Sequence, residues 1–318
     1  IDIKVGVTSF AKENEPQLFE GSISKMTIGP DCVGIGLRKA LAPGATVESY
    51  STMPPGIYEQ SSEAYATAKV TVPNGARSTY MNNVSWQHFA DVSERAYDGT
   101  SFTAEPFLIE VIDRDARTCA IMKFAGVDEG GVLTIPATVT APDGTEFTPV
   151  VISEYAMSRT SFSEVDFKAP IVSIGRGAFD LMPQLRKIVI PNTVTELGYG
   201  SFSSCPNLAE VKLSDNIKAL PHLLFYNCTS LENLDIPASV TSLGNDVFHG
   251  CRKLTVITVP ATVETVGSSC FGGTNLSVLD IAPSATPLKA NYGFLQGMGG
   301  TTIDCLRAGR DVVLYSQE

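Results

Sequence analysis

Five phenylalanines recur at one fixed interval in this 318-residue chain, and that interval constrains the fold more than any other feature. Phe179, Phe202, Phe225, Phe248 and Phe271 are each separated by 23 residues. A unit of this length cannot bury its own apolar side, so successive copies must stack and share one continuous core. The interval therefore predicts a solenoid in this part of the chain, with one phenylalanine in each layer.

The residues around each phenylalanine repeat as well, and the clearest copy runs from residue 220 to residue 240 as LPHLLFYNCTSLENLDIPASV. Leu234 and Ile236 lie two residues apart, which is the spacing of a strand with one buried face. Pro237 then ends that strand, because proline cannot donate a hydrogen bond to a β-ladder. The pattern predicts a parallel β-ladder on one face of the stack and short helical or irregular turns on the other.

This unit resembles the repeat of the BspA-like leucine-rich-repeat family of bacterial surface proteins, which runs roughly I-G-x-x-A-F-x-x-C-x-x-L-x-x-I-x-I-P-x-x-V. The clear repeats cover about residues 150–285, including a weaker first copy in which Met157 replaces the phenylalanine. The resemblance implies an α/β repeat fold, a leucine-rich-repeat solenoid with a parallel β-ladder. It also implies that a β-hairpin caps the N-terminal end of a second block of repeats.

Four segments are expected along the chain. Residues 1–95 are expected to be the end of a first leucine-rich-repeat block with its closing cap, and residues 96–104 a linker. Residues 105–149 contain hairpin signals such as Asp143-Gly144 and are expected to form the β cap that opens the second block. That block occupies residues 150–318, and the chain is expected to be a piece of a longer tandem array.

Charge and hydropathy exclude some classes of function. The chain has 34 acidic and 23 basic residues, for a formal net charge of -11. An acidic chain repels phosphate backbones, so no nucleic-acid partner is expected. The longest apolar runs are only a handful of residues, so no membrane-spanning helix is expected. The family resemblance implies an exported protein, on the cell surface or in the periplasm.

Three cysteines share one repeat position. Cys205, Cys228 and Cys251 each follow their phenylalanine by three residues. A zinc site needs converging ligands, whereas these cysteines lie in a line with no CxxC motif or histidine pair nearby. The total of seven cysteines is odd, which argues against a disulfide scaffold. We therefore predict buried free thiols that pack as small hydrophobes, with a disulfide between neighbours as the alternative.

The histidines give no sign of catalysis. His88, His222 and His249 are the only three, and they do not share a repeat position. A general base needs a positioned partner and a nucleophile, and no G-x-S-x-G, P-loop or H-E-x-x-H motif is present. Paired carboxylates for glycoside hydrolysis are not excluded by composition, but a solvated repeat face explains them more simply. We predict a protein that is not an enzyme and needs no cofactor or metal.

The exposed positions of the predicted strands are the candidate binding surface. One position alternates in charge from Glu164 to Lys187 to Glu210 along the stack, and exposed pairs of this kind contribute about 0.2–1 kcal/mol each. Stabilisation of the ladder is therefore the simpler interpretation of these charges. A protein-binding face is the more specific alternative. The candidate ligand-binding residues are Lys187, Lys212, Asn233, Asp235, Thr255, Val256 and Thr258.

The family resemblance implies adhesion to host, matrix or bacterial proteins through the solenoid surface. Two alternatives stay open: a passive spacer that displays another domain, and an accessory protein that captures glycans. Glycan capture needs exposed aromatic rings, and the predicted strand positions offer none. Trp86, the only tryptophan, could be such a platform, but its place between Tyr80 and Phe89 favours a core position.

Overall fold

The structure is a computed structural model that divides into two compact units. The first comprises Ile1–Val111 and Thr140–Thr145, and the second comprises Ile112–Val139 and Glu146–Glu318. Stacked parallel strands dominate, with almost no helix, as expected for a leucine-rich-repeat solenoid. No helix in the described part of the chain is long and apolar enough to cross a membrane. The residues described are 2–5, 23–28, 41–49, 60–72, 76–95, 97–291, 293–296 and 305–315.

The first unit contains a five-stranded parallel sheet whose strands lie in chain order. Asp2 faces Lys25 and Thr46 faces Lys69, so these neighbouring strands are 23 residues apart in sequence. An antiparallel pair of strands follows the sheet in the chain. The elements are β1 (Asp2–Val5), β2 (Ile23–Ile28), β3 (Leu41–Ser49), α1 (Ser62–Thr67), β4 (Lys69–Val72), α2 (Arg77–Met81), β5 (Asp91–Glu94), β6 (Ser101–Ala104) and β7 (Phe107–Asp113).

Three aromatic side chains pack together in the otherwise aliphatic core of the first unit. Trp86, Tyr80 and Phe89 are almost completely buried. The Trp86 ring lies 5.0 Å from the Tyr80 ring and 5.4 Å from the Phe89 ring, measured between centroids. The Tyr80 hydroxyl shares a 2.6 Å hydrogen bond with the Ser49 hydroxyl, which satisfies both groups inside the core. The prediction that Trp86 is a core residue is confirmed.

The second unit contains two parallel ladders, because a repeat contributes up to two short strands. We call the two ladders the short ladder and the strand face. The short ladder consists of β8 (Thr118–Phe124), β11 (Glu146–Ile152), β13 (Ser173–Ile174), β15 (Glu196–Leu197), β17 (Ala219–Leu220), β18 (Ser242–Leu243), β20 (Thr265–Val266), β22 (Leu288–Asn291) and β24 (Val312–Tyr315). The strand face consists of β9 (Gly131–Ile135), β12 (Phe162–Phe167), β14 (Lys187–Val189), β16 (Glu210–Lys212), β19 (Val256–Val259), β21 (Val278–Ile281) and β23 (Cys305–Ala308), and a two-residue strand, β10 (Val139–Thr140), completes the set.

The repeated phenylalanines form the centre of the second unit. All five are fully buried, and neighbouring rings stack at centroid distances between 5.5 and 6.0 Å. Each backbone N–H of this series donates to a carbonyl in the next layer, as from Phe225 to Val247 at 2.9 Å. The predicted arrangement of one phenylalanine per layer is confirmed.

Glycine brings successive layers of the short ladder together. Gly175, Gly198, Gly244 and Gly267 occupy one repeat position, and each N–H donates to a carbonyl of the preceding layer at 2.7–2.9 Å. A Cβ atom at these positions would lie 2.4–2.8 Å from backbone atoms of that layer. Any larger residue would therefore push the layers apart.

The repeat of residues 220–240 departs from this pattern, and we call it the open repeat. Pro221 stands in the glycine position and has no N–H to donate to the equivalent acceptor, the Leu197 carbonyl. The short-ladder strands β15 and β17 are not paired, and residues 231–236 form no strand. Pro221 thus accounts for the gap between β15 and β17. The strand predicted over Leu234 and Ile236 is wrong, and the physical reason lies in its exposed positions, Asn233 and Asp235, since asparagine and aspartate disfavour strands.

Several finer predictions stay predictions. The described residues contain only the two short helices α1 and α2, so the α/β assignment stays a prediction. The β-hairpin cap of the second block stays a prediction as well. The predicted segment boundaries after residues 95, 104 and 149 also stay predictions, although residues 101–104 form β6.

Candidate ligand-binding surface

All seven candidate residues are exposed on the strand side of the second unit. Lys187 lies on β14, Lys212 ends β16, and Asn233 and Asp235 belong to the unpaired segment of the open repeat. Thr255 directly precedes β19, which contains Val256 and Thr258. The candidates therefore span four successive repeats.

A cavity of about 430 Å³ lies where the strand face opens. Its lining includes four of the candidates, Lys187, Lys212, Asn233 and Asp235, together with Glu210 and Glu232. Thr255, Val256 and Thr258 are not among the lining residues. The structure thus brings the charged and amide candidates together and leaves the neutral patch on the next strand.

Charges of both signs surround this cavity. The predicted register is confirmed, since Lys187 faces both Glu164 and Glu210 on neighbouring strands. The Lys187 ammonium lies 3.8 Å from the Glu210 carboxylate, and both side chains are well exposed. Within the described residues, no ion pair joins Lys212 to Asp235. These two groups remain open to a ligand of complementary charge.

The backbone of the open repeat is not paired with its neighbours on the strand face. Among the described residues, no backbone hydrogen bond joins residues 232–236 to the strand on either side. Contact with the next layer includes a side-chain ion pair, between Lys253 Nζ and Glu232 Oε1 at 2.9 Å. Unpaired N–H and C=O groups therefore accompany the charged side chains around the cavity.

Comparison with known proteins identifies the repeats. A family described as the BspA type leucine rich repeat region matches residues 150–290, in six copies. Residues 150–290 are a BspA type leucine-rich-repeat region. The resemblance found in the repeated residues is thereby confirmed. The chain has no match among curated proteins.

Solved structures of bacterial leucine-rich-repeat proteins are similar to this chain. One, the leucine-rich-repeat protein of T. pallidum, is 21% identical, with 68% of this chain and 86% of that chain covered and a TM-score of 0.41. Another, from Eubacterium ventriosum, is 16% identical, with 86% and 82% covered and a TM-score of 0.48. A leucine-rich cell surface protein of Faecalibacterium prausnitzii is 18% identical, with 82% of this chain but 60% of that chain covered and a TM-score of 0.41.

The cysteines of the BspA type region are free and buried, as predicted. The thiols of Cys205, Cys228 and Cys251 each donate to the carbonyl of a phenylalanine 26 residues earlier, at 3.1 Å. Burial raises the pKa of the Cys205 thiol to about 12, and it raises the pKa of Cys228 as well. These thiols are poor nucleophiles and poor metal ligands, because both roles require the thiolate. No metal-binding group of three or more acidic, histidine or cysteine side chains occurs among the described residues.

An exposed aromatic cluster of the BspA type region escaped the sequence analysis. The Arg176 guanidinium lies over two tyrosine rings, 5.9 Å from the centroid of Tyr155 and 5.0 Å from that of Tyr199. Both tyrosines are 45% exposed. Arg176 and Tyr199 share the repeat position three residues before the phenylalanine, so a search of that position could have found the pair.

Proposed function

We propose that the strand face around the open repeat binds a protein ligand and that the protein has no catalytic role. The observation that carries this proposal is the cavity at the open repeat, which gathers Lys187, Lys212, Asn233 and Asp235. Solenoid proteins use extended surfaces of this kind for binding, and leucine-rich repeats are typical protein-interaction scaffolds.

The chemistry of the cavity fits an extended polypeptide segment. Such a segment can lie across the strand face and hydrogen-bond to the exposed side chains of Glu210, Glu232 and Asn233. The lysines and carboxylates around the cavity can pair with side chains of either sign on the ligand, which favours specificity and a fast association rate. The cavity volume of about 430 Å³ accommodates only part of a partner, so the rest must contact the neighbouring strands.

The neutral patch of Thr255, Val256 and Thr258 extends this surface onto β19. Val256 is 46% exposed, and an apolar side chain beside polar groups is a suitable anchor for a hydrophobic group of the partner. We infer that the partner spans the cavity and this patch together.

The family suggests where the protein acts and what it binds. We infer that the protein is exported and acts at the cell surface or in the periplasm, in adhesion to host, matrix or bacterial proteins. We further infer that residues 105–149 cap the N-terminal end of the second block as a β-hairpin segment, with residues 96–104 as the linker. We also infer that the complete fold has the α/β character of a leucine-rich-repeat solenoid.

The charge of the surface provides the first test. Wild type and Asp235→Lys would be compared for binding to an array of purified extracellular-matrix and bacterial surface proteins at low and high salt. We expect Asp235→Lys to weaken specific binding by about tenfold or more, and Val256→Asp to weaken it as well. The control is Glu264→Lys, which makes the same charge change at an exposed position outside the strand face.

The missing strand pairing at the open repeat provides the second test. Pro221→Gly introduces the residue that other repeats have, and it should restore the missing N–H bond in the short ladder. We propose that closing this layer also pairs the strand face of the open repeat and thereby reduces binding. Pro221→Ala is the matched control, because it supplies the N–H but keeps a Cβ that holds the layers apart. If wild type, Asp235→Lys and Pro221→Gly bind the array equally well, the proposal is overturned. Absence of any binding would favour the passive spacer.

A further inference from the structure

The first unit contains a second cavity, of about 630 Å³, formed beside the helix α1. Its volume lies within the range of about 300–1,000 Å³ that small-ligand sites occupy. Nothing in the repeat pattern pointed to it, because it lies outside the BspA type region of residues 150–290. Its lining includes Gln60, Ser62, Tyr65, Val84, Ser85 and His88.

An aromatic platform lines this cavity and is held in place by the core. The Tyr65 ring meets the buried Phe89 ring edge-on at a centroid distance of 5.0 Å. The His88 ring lies 5.3 Å from the Tyr65 ring, with a 49° tilt between their planes. The Tyr65 carbonyl accepts a hydrogen bond from the Ala90 N–H at 3.0 Å. The platform is therefore pre-organised, which lowers the entropic cost of binding a ligand.

Several polar groups of the lining are not used by the fold. The Gln60 N–H donates to the Tyr65 hydroxyl at 3.0 Å, and the hydroxyl proton has no acceptor among the described residues. The side chains of Ser62, Ser85 and His88 also have no hydrogen-bond partner within the part of the chain that the structure describes. Donors and acceptors thus surround an aromatic platform without being consumed by the protein itself.

Among the described residues, the lining carries no aspartate, glutamate, lysine or arginine, in a chain with a net charge of -11. An anionic ligand would need a basic partner such as arginine, and a cationic one would be expected beside a carboxylate. The ligand that fits is neutral, carries many hydroxyl groups and has an apolar face that can pack on a ring. Neutral sugars have this chemistry.

We propose that the cavity lined by Tyr65, Ser85 and His88 binds a neutral oligosaccharide. One sugar face packs against the Tyr65 and His88 rings, and the sugar hydroxyls bond to Ser62, Ser85 and the Tyr65 hydroxyl. Val84, which is 76% exposed, supplies apolar contact at the rim. This site is distinct from the protein-binding surface proposed for the strand face and does not depend on it.

The test is calorimetric titration of the full chain with neutral hexasaccharides of glucose, mannose and galactose, beside sialylated and sulfated oligosaccharides. We expect binding of at least one neutral hexasaccharide, at concentrations up to about 10 mM. Tyr65→Phe keeps the ring and removes the hydroxyl, and it should weaken binding about fivefold. His88→Ala removes the second ring and should weaken binding about fivefold as well.

The second unit offers a matched control pair. Tyr226 and His249 also stack, at 5.2 Å, in the BspA type region, so Tyr226→Phe and His249→Ala should leave sugar binding unchanged. Thermal unfolding of each variant checks that the fold is retained. The proposal is overturned if no neutral hexasaccharide binds, if only anionic sugars bind, or if affinity survives both the Tyr65 and His88 changes in a folded protein.

Discussion

The interior of the BspA type region and its strand face are built from the same repeats but differ at the open repeat. The phenylalanine rings continue through the open repeat, with Phe202 to Phe225 at 5.8 Å and Phe225 to Phe248 at 6.0 Å. The strand face stops at β16 and resumes at β19. Strand pairing is thus interrupted at the open repeat, whereas the packing of the phenylalanine rings is not.

This difference indicates that the stack is held mainly by its interior. The Phe225 N–H bond to the Val247 carbonyl, at 2.9 Å, and the Phe202 N–H bond to the Leu224 carbonyl, at 3.2 Å, remain in place around the open repeat. Burial of the aromatic rings, with the aliphatic side chains of each layer, makes a favourable contribution to folding that the open repeat leaves intact. The strand face is then free to vary in sequence and in pairing, as a binding surface must.

The largest expected effect comes from the interior. Phe225→Ala removes a fully buried ring from the middle of the stack and should lower the free energy of unfolding by about 3–5 kcal/mol. The control is Val256→Ala on the strand face, where a half-exposed side chain should contribute about 0.5 kcal/mol or less. Urea denaturation of both variants would measure the two values. Equal losses would contradict the claim that the interior holds the stack.

The buried thiols predict a loss of stability at alkaline pH. Burial raises the pKa values of Cys205, Cys228 and Cys251 above that of a free thiol, to about 12 for Cys205. The unfolded chain loses these protons near pH 8.5 while the folded chain keeps them, so stability is complete below that pH and is lost as the pH rises towards 12. Each thiol contributes a slope of up to about 1.4 kcal/mol per pH unit.

The measurement is the free energy of unfolding in urea between pH 7 and pH 10, with a reductant present. Cys228→Ala removes one titrating group and should make the decline with pH shallower than in the wild type. Lysines and tyrosines titrate in the same range, and the comparison of the two proteins cancels their contribution. An identical slope in both proteins would show that the Cys228 thiol ionises as readily in the folded chain as in the unfolded chain.

The short ladder supplies a test of intermediate size. Gly198→Ala places a Cβ 2.4 Å from the Arg176 backbone nitrogen and should lower the free energy of unfolding by about 1–3 kcal/mol. It should also open a second gap in the short ladder, which faster hydrogen exchange of the residue-198 N–H would reveal. Pro221→Ala, by contrast, should leave stability nearly unchanged, because that layer already accommodates a Cβ. A stable Gly198→Ala with slow exchange would contradict the explanation given for the gap between β15 and β17.

The sequence predicted those features that depend on the repeat interval. Stacked parallel strands, buried phenylalanines, free thiols and the register of Lys187 between Glu164 and Glu210 all follow from 23-residue spacing and simple packing. The open repeat was missed because residues 220–240 match the repeat pattern best by their apolar positions. The signal was Pro221 itself, at the one position where neighbouring repeats need a glycine that donates an N–H and lacks a Cβ.

The cavity of the first unit was not predicted, for a different reason. Tyr65 and His88 are 23 residues apart, but the first unit has no recurring phenylalanine that would mark this spacing as a layer. Their contact depends on where α1 and the segment before β5 pack on Phe89. Such packing is set by three-dimensional shape rather than by a local pattern of residue types.

The smallest expected effect concerns the ion pair between Lys253 and Glu232. The two side chains are 58% and 55% exposed and their charged groups lie 2.9 Å apart, so Lys253→Ala should lower the free energy of unfolding by only about 0.2–1 kcal/mol, and less at high salt. A double-mutant cycle with Glu232→Ala would isolate this energy.

The same variants measured by hydrogen exchange would show whether the pair restrains the segment of residues 232–236. If exchange there accelerates while global stability barely changes, the open repeat is tethered by side chains alone. Unchanged exchange would instead mean that packing of Leu234, which is 7% exposed, is sufficient to position the segment.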